Sequence, residues 1–461
     1  MTLLFVQGRL NSAFKTMGTL TLLLIAFPFN LIAVLFSFLT QGKLKQGVAN
    51  NPKRILLTGG KMTKSLQLAR SFYQAGHTVF LVETNKYWLS GHRTSQAVYK
   101  FYTVPAPEKN PEGYRQGLLD IVKKEGIDVF IPVCSPVSSY YDSTAKPLLT
   151  EAGCEVIHFD PDITAMLDNK YEFCKTAREI GLSAPKVFRF TSPEQVLDFD
   201  QRSSAGSVVS RRSTDDFQTD GSRYIIKSIN YDSVRRLDLT KLPFEGMESY
   251  IKKLPITEEN PWVMQEFIRG QEYCTHSTVR NGKIQLHCCS KSSPFQVNYE
   301  QEDNPEILAW VKQFVEALNL TGQISFDFIQ TPDGTIYPVE CNPRTHSAIT
   351  MFHDHPDLAD AYLGNHNIQA PIAPLPDSKP TYWLYHELWR LTEVRSFQDL
   401  KQWWAKISEG TDGIFRKDDP LPFLFVHHWQ IPLLLLSNLK TLQDWIRIDF
   451  NIGKIVKLGG D

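Results

Sequence analysis

At 461 residues and 52.7 kDa the chain is too long for one ordinary core, and two or three domains are expected. Its 49 basic and 50 acidic residues nearly cancel and form no long run of one sign, which excludes the charged footprint of a nucleic-acid binder and favours a small-molecule substrate. The seven cysteines are scattered and lack a C-x-x-C pair, which fits neither a disulfide framework nor a zinc site and suggests a reducing compartment.

The first element is an apolar, uncharged run from Gly18 to Thr40, about the ~20 residues that cross a bilayer as a helix. It ends among Phe36, Phe38 and Leu39 rather than at a small-x-small cleavage site, so it is not read as a signal peptide. Pro28 and Asn30 weaken a span, and the plain alternative is a greasy helix packed on the protein. Arg9 and Lys15 precede the run, while Lys43, Lys45, Lys53 and Arg54 follow it. That balance leans toward a cytoplasmic main body with residues 18–40 as candidate membrane anchor.

From Arg54 the pattern is α/β. An apolar strand, Ile55 to Leu57, leads through Thr58-Gly59-Gly60 into a helix whose Met62, Leu66, Ala69 and Tyr73 share a face. Further strands are expected at Val79–Val82, Asp128–Val133 and Cys154–Phe159, which together predict a doubly wound parallel sheet. Only two glycines stand in the first turn, so the dinucleotide fingerprint is missing and a Rossmann-like domain without NAD is preferred. The polar stretch from Ser203 to Arg223 reads as a mobile loop. After about Pro356 a proline-rich segment, a Trp-rich helical tail and the apolar run Leu421–Leu436 follow. His427, His428 and Gln430 interrupt that run too much for a span, so it lies either on a membrane or buried as a helix.

The strongest chemical signal is Ile324-Ser-Phe-Asp-Phe-Ile329, a Pro332-Asp333-Gly334 turn, and Thr335-Ile-Tyr-Pro-Val-Glu-Cys-Asn-Pro-Arg344. It reads as two antiparallel strands. Alternation sends Phe326 and Phe328 into a core and puts Ser325 and Asp327 on the other face; the turn then sets Asp327 opposite Glu340. Converging carboxylates with the amide oxygen of Asn342 need a cation between them, and hard oxygen ligands suit Mg²⁺ or Mn²⁺. Arg344 adds a planar cation able to grip a phosphoryl oxygen.

Upstream, Lys227 ends the apolar strand Tyr224–Lys227, where a buried ammonium calls for an anion such as phosphate. Lys170 opens a helix and offers a second such contact. The strand Trp262 to Glu266 turns polar and continues through Phe267 and Ile268 to Glu272, an edge able to offer backbone groups to a purine and a carboxylate to ribose hydroxyls. His353-Asp354-His355 and His386-Glu387 lack the further ligands of a zinc site and read as ordinary polar packing.

In this order, from Asp168 to Arg344, these residues resemble the ATP-grasp superfamily, in particular its carbamoyl-phosphate-synthase-like branch. The resemblance implies an α/β protein with a Rossmann-like pre-ATP-grasp domain followed by an ATP-grasp fold, an N-terminal hydrophobic helix and a helical C-terminal extension. The expected divisions are 1–50, 51–160, 161–355 and 356–461. It implies ATP on Lys170, Lys227, Glu266, Phe267, Ile268 and Glu272, a metal on Asp327, Glu340 and Asn342, and a catalytic role for Arg344. The segment Ser228 to Arg236 lacks the glycines of the family's usual phosphate loop, which leaves Ser228, Ser233 or Arg235 to stand in, and Ser325 competes with Asp327 for the first metal position.

Over nearly its whole length, including Gly59-Gly60, Asn230 to Arg236 and the Trp-rich tail, the chain is similar to the mycosporine-glycine synthase group of that superfamily. This implies a C–N ligase for 4-deoxygadusol and glycine, with Arg280, Lys291, Arg344, His346 and Ser347 as candidate substrate contacts. The alternatives are a ligase joining an amino acid to an ordinary carboxylate and a non-catalytic, membrane-tethered nucleotide-binding protein. Oligomeric state is not readable from the sequence.

Overall fold

The computed structural model describes residues 2–134, 136–206, 223–229, 235, 238–292, 298–364, 370–441 and 443–457. A helix, Thr2–Thr40, opens the chain. Five strands follow: β1 (Arg54–Leu57), β2 (Thr78–Thr84), β3 (Val98–Val104), β4 (Val129–Ile131) and β5 (Glu155–Val156). They form one parallel sheet ordered β3-β2-β1-β4-β5, crossed by helices Thr63–Gln74, Pro111–Glu125 and Pro136–Glu151. The chain reverses direction at β1, the switch point beyond whose strand ends ligands bind in such sheets. There the Thr58 hydroxyl accepts from the Val133 amide at 2.9 Å, tying the loop after β1 to the loop after β4.

The apolar triplet Ile55–Leu57 is fully buried, as a central parallel strand requires. Two expectations change. β3 was not foreseen: Val-Tyr-Lys-Phe-Tyr-Thr-Val exposes its middle residues at the sheet edge, so only its ends read as buried. Only Glu155 and Val156 pair as strand within Cys154–Phe159; Gly153 before them is left-handed, and the Ile157 amide still donates to the Phe130 carbonyl at 3.0 Å. The helix Pro193–Gly206 also runs into the stretch expected as a loop, and residues 207–222 of that stretch lie outside the described residues.

A second sheet holds β6 (Val187–Phe190), β7 (Tyr224–Ser228), β8 (Lys241–Leu242) and β9 (Trp262–Glu266), ordered β6-β9-β7-β8 and antiparallel. The third comprises β10 (Gln271–Arg280), β11 (Lys283–Lys291), β12 (Gly322–Gln330) and β13 (Ile336–Asn342), ordered β11-β10-β12-β13. Phe326 and Phe328 point from β12 into a core with Phe173, Trp310 and Phe314, where Trp310 stacks on Phe314 at 5.1 Å between ring centroids. One large apolar cluster joins Leu57 of the first sheet and Phe72 of the helix Thr63–Gln74 to Phe352, Trp383, Val426 and Trp445. The C-terminal elements are thus packed into the same core as the parallel sheet.

Leu421–Phe425, a wide turn at Val426–Gln430 and Ile431–Thr441 form one nearly continuous support, with Phe423, Val426, Ile431 and Leu435 buried. The opening helix packs against it. Its body-facing stripe is Ser12, Thr16, Leu20, Leu23, Asn30, Val34 and Ser37, a helical repeat of three and four residues. At one end Trp445 Nε1 donates to Thr16 Oγ1 at 2.9 Å; further along, Asn30 Nδ2 donates to the Tyr385 hydroxyl at 2.6 Å. The part from Ser12 to Thr40 is long and apolar enough to cross a membrane, and most of it is exposed. All seven cysteines are free and buried.

Candidate active site

The hairpin of β12 and β13 sets the centre. Gly334, with φ at 86°, closes the turn and donates to the Thr331 carbonyl at 2.9 Å, while Asp333 Oδ1 accepts from the Thr335 amide at 3.2 Å. This register pairs Asp327 with Glu340 and Ser325 with Asn342. The ladder slips by one residue just after Asp327, a bulge that re-aims the strand at the site. Ser325 is buried and donates to the Asn342 carbonyl at 3.4 Å, so the paired carboxylates are those of Asp327 and Glu340.

Cations gather on that pair. Asn169 caps the helix Lys170–Glu179, accepting from the amides of Tyr171 at 3.0 Å and Glu172 at 3.2 Å. The cap fixes Lys170, whose Nζ lies 3.7 Å from Glu340 Oε1. From β7, Lys227 reaches the same place and donates to Gln265 Oε1 at 3.4 Å. Arg344 follows β13 by two residues, and its amide donates to the Asn342 carbonyl at 2.8 Å. The Arg344 Nη1 forms a loose ion pair with Asp168 Oδ1 at 3.9 Å and has no hydrogen-bond partner among the described residues.

These charges split the carboxylates. Burial, reinforced by Glu340, pushes Asp327 up to about 7, against the pull of Arg344 and Lys227. Burial acts upward on Glu340 too, but Lys170, Lys227 and Arg344 overcome it and hold the group below its ordinary value. Glu340 keeps 37% of its side chain open, so it is crowded by charge yet reachable. Burial lowers Lys227, with Lys170 adding to the effect and Glu340 and Asp327 opposing it. A divalent cation fits this donor set: two carboxylates across a ladder with Asn342 beside them, one needing a positive charge to ionise fully.

The expected nucleotide edge runs from the end of β9 to the start of β10. Glu266 ends β9, and its Oε2 accepts from the Lys186 amide at 3.0 Å. The Phe267 amide donates to the Arg223 carbonyl at 2.8 Å, and its ring takes the Lys241 ammonium 4.6 Å from the centroid. Ile268 is half-buried and Glu272 exposed at the start of β10, so these four residues lie along the passage from β9, which pairs with the strand of Lys227, into β10. Ser228 ends β7 and Arg235 is described, whereas Asn230 to Val234, with Ser233, and Arg236 lie outside the described residues.

Arg280 and Lys291 are not brought to this centre. Arg280 is paired with Glu155 and donates to the Tyr362 carbonyl at 2.7 Å, and Lys291 is paired with Glu302 at 2.7 Å. His346 and Ser347 do adjoin Arg344. His346 Nδ1 accepts from the Ala348 amide at 3.2 Å, and burial next to Lys64 and Arg344 drops its pKa to about 3. Ser347 Oγ accepts from Asn451 Nδ2 at 2.7 Å. Among the described residues no three His, Cys, Asp or Glu side chains cluster as metal ligands; Asp354 pairs with Arg416 at 2.8 Å, and His386 Nε2 accepts from the Phe450 amide at 3.3 Å.

Three residues escaped sequence reasoning. Gln265 Nε2 donates to the Val339 carbonyl at 3.1 Å while its Oε1 takes Lys227, so one buried amide joins the second sheet to the β12–β13 hairpin. Lys64, in the first turn after β1, donates to the Thr345 carbonyl at 2.5 Å; burial and then Arg344 drop it to about 7. Lys61 is buried against Glu83 at 3.1 Å, so the acid ending β2 is an ion-pair partner rather than a ribose ligand. Two lysines three apart after a Gly-Gly turn were the available signal.

No protein-family model matches the sequence, and no curated protein sequence matches it. Solved structures do match. N5-carboxyaminoimidazole synthase from Aspergillus clavatus, in complex with ADP and 5-aminoimidazole ribonucleotide, superposes with TM-score 0.52 at 11% identity, covering 71% of this chain and 80% of that one. The N5-carboxyaminoimidazole synthetase of Staphylococcus aureus with ADP gives 0.51 at 14%, over 73% and 82%. The biotin carboxylase domain of the Hydrogenobacter thermophilus 2-oxoglutarate carboxylase, with MgADP and bicarbonate, gives 0.51 at 9%, over 70% and 72%. The likeness is one of fold: this chain is an α/β protein with the ATP-grasp architecture, extended by an apolar helix before it and by helices after it.

Proposed function

We propose that this protein is an ATP-dependent, ADP-forming ligase that makes a C–N bond. The observation that carries the reading is the Asp327–Glu340 pair set opposite each other with Lys170, Lys227 and Arg344 gathered on it. Solved structures of the same fold bind ADP or MgADP, which supports a nucleotide along Glu266, Phe267, Ile268 and Glu272. Asp327, Glu340 and Asn342 are the residues to hold Mg²⁺ or Mn²⁺, which supplies charge neutralisation for the phosphates.

Lys170 and Lys227 bind phosphate oxygens, and Arg344, with a buried nitrogen free for a further acceptor, stabilises charge on the phosphoryl group in flight. The acceptor oxygen attacks the terminal phosphorus and ADP leaves. An amine then adds to the carbon bearing the new phosphate, loses its proton, and phosphate departs. No enzyme nucleophile takes part, so positioning and electrostatics are the protein's whole contribution.

We assign the acceptor as the enol of 4-deoxygadusol and the amine as glycine, giving mycosporine-glycine, on the overall sequence similarity described above. An enol next to a conjugated ketone is a vinylogous carboxylic acid, so the same cationic site serves it. The test is purified protein with ATP, Mg²⁺, glycine and 4-deoxygadusol, read by mass spectrometry. Condensed product with matching ADP supports the assignment. ADP formed only with a carboxylate acceptor replaces the acceptor and keeps the ligase, and no turnover with any acceptor defeats both.

A further inference from the structure

We infer that the opening helix lies in the plane of an anionic phospholipid surface and holds the protein on it without crossing. The helix is turned inside out for water. Its body-facing stripe carries the polar side chains Ser12, Thr16, Asn30 and Ser37, while the opposite stripe is Leu22, Ile25, Phe29, Ile32, Phe36 and Leu39, all exposed. A water-soluble amphipathic helix has the reverse order. Contiguous exposed apolar surface on this scale marks a contact with something apolar.

The hydroxyls off the docked stripe ask nothing of solvent. Thr19, Thr21 and Thr40 donate to the carbonyls four residues back, at 2.8, 3.0 and 2.8 Å. The one charge within Ser12–Thr40 is turned away as well: Lys15 donates to the carbonyls of Trp445 at 2.8 Å and Ile446 at 2.9 Å and sits over the Trp445 ring. An exposed face with no free charge and no unsatisfied hydroxyl suits hydrocarbon.

Crossing is excluded by the same contacts. From Ser12 to Ser37 the stripe stays against the body, a length of about 38 Å at the α-helical rise, longer than the ~30 Å hydrocarbon core. A helix clasped along that whole length cannot leave the body to traverse the bilayer. The helix it rests on exposes Leu433 and Leu436, and Trp429 is exposed in the turn before it. Trp favours the headgroup level.

Charge selects the lipid. No Asp or Glu occurs before Glu83, whereas Lys43 and Lys45 stand exposed directly after the helix. Such a segment is drawn to a negative leaflet, the cytoplasmic one in a cell.

The experiment floats full-length protein with phosphatidylcholine vesicles, with and without phosphatidylglycerol. Binding to the anionic vesicles is expected, and the variant L22E/F29E/F36E should lose it by about tenfold or more with its thermal midpoint kept. Nitroxide labels on introduced Leu22→Cys, Phe29→Cys and Phe36→Cys should report one common shallow depth; the native thiols are all buried and stay out of the way. Depths that progress from one side to the other, binding untouched by the triple variant, or a soluble dimer that ignores vesicles would each overturn the inference. Equal binding to neutral vesicles overturns the choice of lipid.

Discussion

Asp327 and Glu340 face each other across one ladder yet are held on opposite sides of their ordinary ionisation. Lys170 and Lys227 favour the charge on Glu340, and Asp327 is left to share the remaining field. The pair therefore carries less than its full negative charge near neutral pH until a cation joins it.

A first consequence is that metal affinity depends on pH. A carboxyl raised to about 7 keeps a proton in the folded protein that the unfolded chain has released above its usual value near 3.8. Metal-free stability from this group therefore falls as pH rises through that window, and a metal that displaces the proton binds more weakly as pH falls. Mn²⁺ affinity, followed by its paramagnetic resonance signal, is expected to drop about tenfold per unit below pH ~7. The variant Asp327→Asn should bind more weakly throughout and lose most of that slope.

Glu340→Gln keeps the shape and removes the charge on which Lys170 rests. Turnover measured as ADP release is expected to fall about 10²-fold or more, the scale of losing one electrostatic contact at a transition state. Retention of wild-type rates by a folded variant would refute the ligase reading.

Arg344→Lys preserves charge but not the planar two-point grip. A fall of about 10²-fold in kcat, with KM for ATP within a few-fold of wild type, is expected. Lys64→Met acts through the same turn by leaving the Thr345 carbonyl without its donor. It should show the same split between kcat and KM, with partial rescue in Lys64→Arg.

Gln265→Leu removes the buried bridge between the second sheet and β13, leaving the Val339 carbonyl unmatched. A loss of about 1–3 kcal/mol in denaturant unfolding is expected. Asp419→Ala should cost more, about 3–5 kcal/mol, because it strands the buried guanidinium of Arg70, which Asp419 Oδ2 meets at 2.9 Å. Asp419 also accepts from Ser95 Oγ at 2.6 Å and the Gln96 amide at 2.9 Å.

The hairpin was legible because period-two alternation plus a Pro-Asp-Gly turn leaves little freedom of register, and the pairing of Asp327 with Glu340 follows from it. The parallel sheet was legible for a different local reason at β1, β2 and β4, which are unbroken apolar runs buried on both faces. β3 was not, since an edge strand with three exposed interior residues lacks the pattern of a buried one. Gln265 and Lys64 were invisible for another reason: their partners, Val339 and Thr345, lie far away in sequence and are set by sheet packing. Arg280 could be read as a solvated cation or as a substrate contact, because a cation looks alike in sequence whether it awaits a ligand or, as here, already grips Glu155.

Thr16 meets Trp445 across 429 residues, and the loop after β1 is closed by the Thr63 amide on the Asn451 carbonyl. Contacts of such separation are entropically costly to close, because the loop they close is nearly the whole described chain. During synthesis the helix that carries Thr16 emerges before the C-terminal elements that receive it. For that interval its polar residues have no protein partner and its apolar length no cover. The order of events in time thus leaves an apolar segment uncovered until the last described elements of the chain have been made.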